Sequence, residues 1–167
     1  MPRAWERVET LNDTHNIEDF SCGRTTVDDW LHEKSRANSH SVTTHVCLDG
    51  QLVNAFFALK TIIVSVDGFS NRLRRGSNEE GYAAGILLCQ MGVGVDHHGH
   101  GHGKALLRAA MQMAAEVHNR SPHQLLVIDA ADESLVDWYA KAGFALVPGT
   151  RRLVMPMAAV VKALRPA

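Results

Sequence analysis

The stretch Val93-Gly94-Val95-Asp96-His97-His98-Gly99-His100-Gly101-His102-Gly103-Lys104-Ala105-Leu106-Leu107 constrains this chain more than any other. Before it, the apolar run from Ala83 to Val95 reads as a buried strand. After it, Leu106, Leu107, Ala110, Met111, Ala114 and Val117 recur at helical spacing and predict a helix from about Gly103 to His118. Between the two, glycines stand at alternate positions. Glycine adopts positive φ and lets a ligand approach the backbone closely. Successive N–H groups in such a turn form an anion nest, and a helix N-terminus adds its partial positive charge at the same point. The segment therefore favours holding a pyrophosphate by main chain. It is not a nucleoside-triphosphate loop, because Ala105 and not Ser or Thr follows Lys104. Nor is it a dinucleotide fingerprint, since antiparallel strands precede it and the first strand lies far upstream.

The rest of the chain reads as strands and helices around that unit. Trp5–Thr10 alternates as a first strand, and Thr25 or Thr26 is placed to cap a helix from Val27 to about Ala37. Thr43–Leu48, an Asp49-Gly50 turn and Gln51–Ser65 form a hairpin. Residues 66–81 are a polar, basic loop. Beyond the central unit come a strand at Leu125–Ala130 and a helix at Glu133–Ala142 ended by Gly143. A last hairpin follows, Phe144–Val147 with Arg152–Met155, and then an apolar segment from Pro156 to Leu164, strand or helix. This order predicts an α/β chain (α+β in some schemes) with a mixed, mostly antiparallel central sheet flanked by helices. At 167 residues with no repeat or linker, one domain over 1–167 is expected.

Composition excludes several classes of function. The net charge of −1 leaves no protein-wide basic field for nucleic acid. Positive charge is local: Arg72, Arg74 and Arg75 in one loop, and Arg151 with Arg152 near the end. No apolar run approaches the roughly 20 residues of a membrane span, and no signal-peptide core opens the chain. The cysteines Cys22, Cys47 and Cys89 are far apart and read as reduced thiols. A cytoplasmic protein is expected. The histidines His97, His98, His100 and His102 are candidate Zn²⁺ or Ni²⁺ ligands, but alternate positions on a glycine loop do not preset a tetrahedron. No metal is expected.

These residues carry a resemblance. Val93 to Leu107 resembles the acyl-CoA loop of the GNAT superfamily of N-acetyltransferases, with Gly101 and Gly103 at the signature glycines and His98 at a position usually Gln or Arg. The approach to the loop is about two residues shorter than the usual form. Asp132 to Phe144, with Trp138-Tyr139 ahead of Gly143-Phe144, resembles the family's helix-then-GF signature. Near the N-terminus, Asp19-Phe20-Ser21-Cys22-Gly23 followed by Val27-Asp28-Asp29-Trp30-Leu31 is similar to the opening of TacT-type toxin acetyltransferases, as are the hairpin at 46–59 and Arg152–Met157.

The resemblance implies a GNAT fold and acetyl-CoA as co-substrate. Its contacts would come from Val93, Gly94, Val95, His98, Gly99, His100, Gly101, His102, Gly103, Lys104 and Ala105. The amides of Val93 to Val95 would align the pantetheine, and one of them would also donate to the thioester carbonyl. Tyr139 takes the position of the family's general acid. The toxin branch further implies charged tRNA as acceptor, a ribbon-helix-helix antitoxin encoded beside the toxin, and a homodimer. Arg72, Arg74, Arg75, Arg151 and Arg152 are then the candidate tRNA contacts. An α-amine has a pKa of about 7.7–8.0, so a useful fraction is neutral at pH 7 without a strong base. The sequence offers no compelling Glu or His base, which agrees with such an acceptor. Rival readings are acetylation of a small amine or a protein N-terminus, a CoA-binding fold without catalysis, and a metal-binding protein built on the histidine run.

Overall fold

The computed structural model describes residues 4–78 and 80–166. The strands are β1 (Arg7–Thr10), β2 (Thr43–Asp49), β3 (Leu52–Ser65), β4 (Tyr82–Val93), β5 (Leu125–Asp129), β6 (Ala145–Leu146) and β7 (Arg152–Pro156). The helices are α1 (Thr25–Glu33), α2 (Asn71–Arg74), α3 (His102–Arg120), α4 (Glu133–Lys141) and α5 (Met157–Ala163). Strand order in the sheet is β1-β2-β3-β4-β5-β7-β6. The β1–β2, β2–β3, β5–β7 and β6–β7 pairs are antiparallel. β4 and β5 are parallel, with Gly85 to Leu88 in register with Leu125 to Ile128. A parallel pair needs a long crossover, and α3 supplies it. The mixed, mostly antiparallel sheet expected from the element order is present.

The residues fall into two compact units, 1–60 with 89–110, and 61–88 with 111–167. In the first, Ile17, Phe20, Cys22, Leu31, Val46, Leu48 and Phe56 are buried together, and Val27 and Trp30 pack against them. Trp30 lies parallel to Phe56 at 6.2 Å, and Phe20 meets Phe56 edge-on at 5.5 Å. In the second, Val64, Val66, Ala83, Leu125, Val127 and Val154 form the core, with Phe69, Leu73 and Val147 packed on it.

Several local expectations are corrected. α1 stops at Glu33 rather than near Ala37. The N–H groups of Lys34 and Ser35 both turn to the Trp30 carbonyl, and the Ser35 hydroxyl takes the Leu31 carbonyl. A serine side chain that competes for a helical acceptor ends the ladder. Thr25 and Thr26 lie inside α1. The N-cap is Arg24, which makes no side-chain capping bond. In the first hairpin Asp49 pairs with Leu52, so the turn residues are Gly50 and Gln51, with Gly50 at φ +56. Glycine at the first central position is the type II′ arrangement. The basic loop contains the short helix α2, whose first turn is capped by Ser70. Of the two forms expected for the C-terminal apolar segment, strand or helix, the structure has the helix α5.

His45 on β2 is 6% exposed, stacks on Phe57 at 4.9 Å, and leaves Nδ1 buried without a hydrogen-bond partner. Burial pushes its pKa down from 6.5 to about 4. Between these values the unfolded chain binds the proton and the folded one does not, so stability falls as pH drops through that window. The expected loss from pH 7 to pH 5 is about 2 kcal/mol. Urea unfolding of the native protein and of His45→Phe at the two pH values checks this. The variant should lose that part of the acid sensitivity.

Candidate functional site

The central loop is built in three steps. β4 ends at Val93, Val95–His97 form a single 3-10 turn, and α3 begins at His102. Gly94 is buried where a Cβ would come within 3.1 Å of the Asn54 carbonyl oxygen. Its N–H donates to that oxygen at 2.7 Å, and the Val95 N–H donates to the Ser21 carbonyl at 2.8 Å. His98 turns back toward the strand: its Nε2 bonds the Val93 carbonyl at 2.7 Å and its N–H donates to the Val95 carbonyl at 3.3 Å. A carbonyl only accepts, so His98 Nε2 carries a proton there. The N–H groups of Gly94, Val95 and His98 therefore frame the loop from within. The His98 Nε2 is committed in the same way.

The next residues differ. Gly99 and Gly101 have φ +82 and +75, and a Cβ built on either meets nothing within 4 Å. Left-handed backbone at these positions is open to glycine at no steric cost. The N–H groups of His102, Gly103 and Lys104 open α3, where an α-helix has no partner of its own to offer, and among the described residues no turn or loop acceptor takes the N–H of Gly99 or Gly101. The Ala105 N–H reaches the Gly101 carbonyl at 3.5 Å. Free amides on a glycine turn that runs into the start of a 19-residue helix form an electropositive nest. Of the expected contacts, Gly94, Val95, His98 and Ala105 have acceptors within the fold for their N–H groups.

The histidines pack rather than converge. His102 lies 6.4 Å from Trp5, 6.0 Å from His97 and 5.8 Å from His100, centroid to centroid. Both its ring nitrogens are buried without a hydrogen-bond partner. Among the described residues, no group of three His, Cys, Asp or Glu side chains is placed to hold a metal ion. The thiols are free, and burial pushes Cys22 up to about 11 and Cys47 to about 12, and raises Cys89.

Tyr139 belongs to the second unit. It is 5% exposed on α4, edge-on to Trp138 at 5.1 Å and to Phe144 at 6.2 Å. Its carbonyl accepts the N–H groups of Ala142 and Phe144, and Gly143 takes φ +107 between them. The Asp132 carboxylate caps α4 through the Leu135 N–H at 3.0 Å. The helix-then-GF segment is therefore a capped helix whose closing turn fixes the tyrosine ring.

The arginines divide. α2 packs near β7, which brings both basic clusters to one region of the second unit. Arg152 is locked to Asp129 by paired bonds of 2.7 and 2.8 Å, and Arg151 pairs with Glu133 at 3.3 Å. Arg72, Arg74 and Arg75 are exposed and form no ion pair among the described residues, while Leu73 between them anchors α2 on the core. The pairing of Arg151 and Arg152 to residues 18 and 23 positions away was invisible in the sequence.

No protein-family model matches the chain. Solved structures do match in fold. AtaT complexed with acetyl-methionyl-tRNAfMet superposes with TM-score 0.83 at 14% identity, over 95% of this chain and 99% of that one. A tyrosine-to-phenylalanine mutant of the AtaT toxin, bound to the C-terminus of the antitoxin AtaR and acetyl-CoA, gives 0.78 at 14%, over 96% and 98%. A tyrosine-to-phenylalanine mutant of KacT gives 0.78 at 16%, over 94% and 98%. The chain has the GNAT fold of these proteins. Among the described residues, no helix is long and apolar enough to cross a membrane.

Proposed function

We propose that this chain is an acetyl-CoA-dependent N-acetyltransferase that acts as a toxin on aminoacyl-tRNA. The observation that carries the reading is the glycine turn at Gly99 and Gly101 that leads into the open N-terminal amides of α3. It suits a pyrophosphate, and the open space beside Gly99 and Gly101 leaves room for one. The fold shared with AtaT and KacT supports acetyl-CoA as the pyrophosphate-bearing ligand.

The chemistry is mainly positioning. Binding acetyl-CoA and acceptor together makes a bimolecular step effectively unimolecular. The acceptor α-amine attacks the thioester carbonyl, the C–S bond breaks, and Tyr139 protonates the departing CoA sulfur. An acceptor amine with pKa of about 7.7–8.0 supplies its own neutral fraction, so no buried carboxylate base is required. AtaT, seen with acetylated methionyl-tRNA, supports charged tRNA as the acceptor. Acetylation of the amino acid would block translation. A ribbon-helix-helix antitoxin, a cytoplasmic location and a homodimeric state complete the proposal.

The exposed guanidinium groups of Arg72, Arg74 and Arg75 are the proposed phosphate contacts. Replacing all three by alanine is expected to weaken tRNA binding and to flatten its salt dependence by roughly one unit of slope per arginine. Replacing Arg151 and Arg152 should change the slope less, because both already hold carboxylates. Filter binding of tRNA across a salt series measures both. An unchanged slope in the triple variant would remove α2 from the tRNA surface.

A further inference from the structure

The first unit contains a half-buried carboxylate that bridges two residues of a neighbouring turn. Asp28, in the first turn of α1, accepts the Cys22 N–H on Oδ1 at 2.8 Å and the Ser21 hydroxyl on Oδ2 at 3.1 Å. The Ser21 carbonyl in turn accepts the N–H of Val95, the residue that opens the 3-10 turn of the loop. Gly23 takes φ +88 with its Cβ direction 3.6 Å from Val95 Cγ1. A Cβ on Gly92 of β4 would come within 2.9 Å of both Cys22 Cβ and Sγ. On the other side, His32 Nε2 donates to the Phe20 carbonyl at 2.8 Å, and the Phe20 ring is seated in the core. The turn 20–23 is thus fixed to α1 at its back and grips the end of β4 at its front.

We propose that Asp28 is a positioning residue for the glycine loop. It holds the Ser21–Cys22 turn so that the Ser21 carbonyl anchors Val95, and Val95 sets where the amides of Gly99 to Lys104 point. The inference rests on the acetyl-CoA reading above. Asp28 gains from the positive end of α1, as any acid there would. That gain needs no contact with Ser21 or Cys22, whereas here both oxygens are spent on them. Charge-assisted bonds to backbone are among the stronger hydrogen bonds, so the brace is stiff.

The test compares native protein, Asp28→Ala, Asp28→Asn and Gly92→Ala. Asparagine keeps an oxygen for the Cys22 N–H, and Gly92→Ala pushes Cys22 away from the strand. In Asp28→Ala, amide exchange at Val95 should rise at least about tenfold while that of Val46 in β2 is unchanged. The KM for acetyl-CoA should rise about tenfold, with kcat at saturation and the acceptor KM held within about twofold. Asp28→Asn should recover most of the loss. Gly92→Ala should shift KM the same way, and it decides the matter if Asp28→Ala does not fold. Native Val95 protection in a folded Asp28→Ala protein would overturn the proposal. So would lowered stability or kcat with an unchanged acetyl-CoA KM, the mark of a purely structural role. Failure of the native protein to bind acetyl-CoA would refute the functional reading instead, and Val95 exchange would still decide the brace.

Discussion

Tyr139→Phe is expected to lower kcat by about 10²–10⁴-fold, with acetyl-CoA affinity within about twofold of native. The substitution removes one oxygen and keeps the ring. The ring is what α4 and its closing turn hold, edge-on to Trp138 and Phe144 and 5% exposed. Packing therefore survives, and the measured difference reports the hydroxyl. A general acid acts on the departing thiolate in the transition state, so its loss appears in kcat and kcat/KM together and not in ground-state binding. Its contribution should also depend on leaving-group basicity: a thioester whose thiol is more acidic than CoA should lose less. Single-turnover acetyl transfer, paired with calorimetric binding of acetyl-CoA, separates the two quantities. A variant with native kcat would reduce Tyr139 to a core aromatic.

The second large effect is expected at Gly101. At φ +75, a β-branched residue is strongly disfavoured, although the space around the Cβ is empty. The cost is conformational, roughly 1–2 kcal/mol. Gly101→Val is therefore expected to turn the loop out of its left-handed path. That redirects the amides of Gly101 and His102 and weakens acetyl-CoA binding by about five- to thirty-fold. Global stability should move little, because the loop is exposed and nothing packs against the new side chain. Lys104→Ala is the companion: it deletes an exposed charge and leaves the backbone path intact, so a smaller loss is expected. Equal losses in the two variants would shift the pyrophosphate contact from main chain to side chain.

How much was legible follows from which interactions are local. The strand, glycine run and helix of the central unit were legible because their signals lie within adjacent residues: apolar runs, glycine conformations and helical spacing. The helix α4 and the Gly143 turn that ends it were legible for the same reason. What lay outside the sequence depends on distant partners. That the amides of Gly94 and Val95 are occupied depends on carbonyls at Asn54 and Ser21, from other strands and turns. The locking of Arg151 and Arg152 depends on Glu133 and Asp129. The early end of α1 depends on a serine that prefers a helical carbonyl to solvent. Gly92 carried a legible hint, since a bare position inside a long strand signals close approach of another chain segment. The approaching segment, Cys22, lies 70 positions away in sequence and carries no local signal of the contact.

The central claim is transfer of acetyl from acetyl-CoA to the amino acid on charged tRNA. Its most direct test incubates the native protein with labelled acetyl-CoA and a pool of aminoacyl-tRNA, then follows the label before and after mild alkaline deacylation. The account predicts label co-migrating with tRNA and released by deacylation as an N-acetyl amino acid, dependent on Tyr139. Label that never reaches the tRNA pool, while acetyl-CoA binds the native protein and is turned over on a small amine, would contradict it.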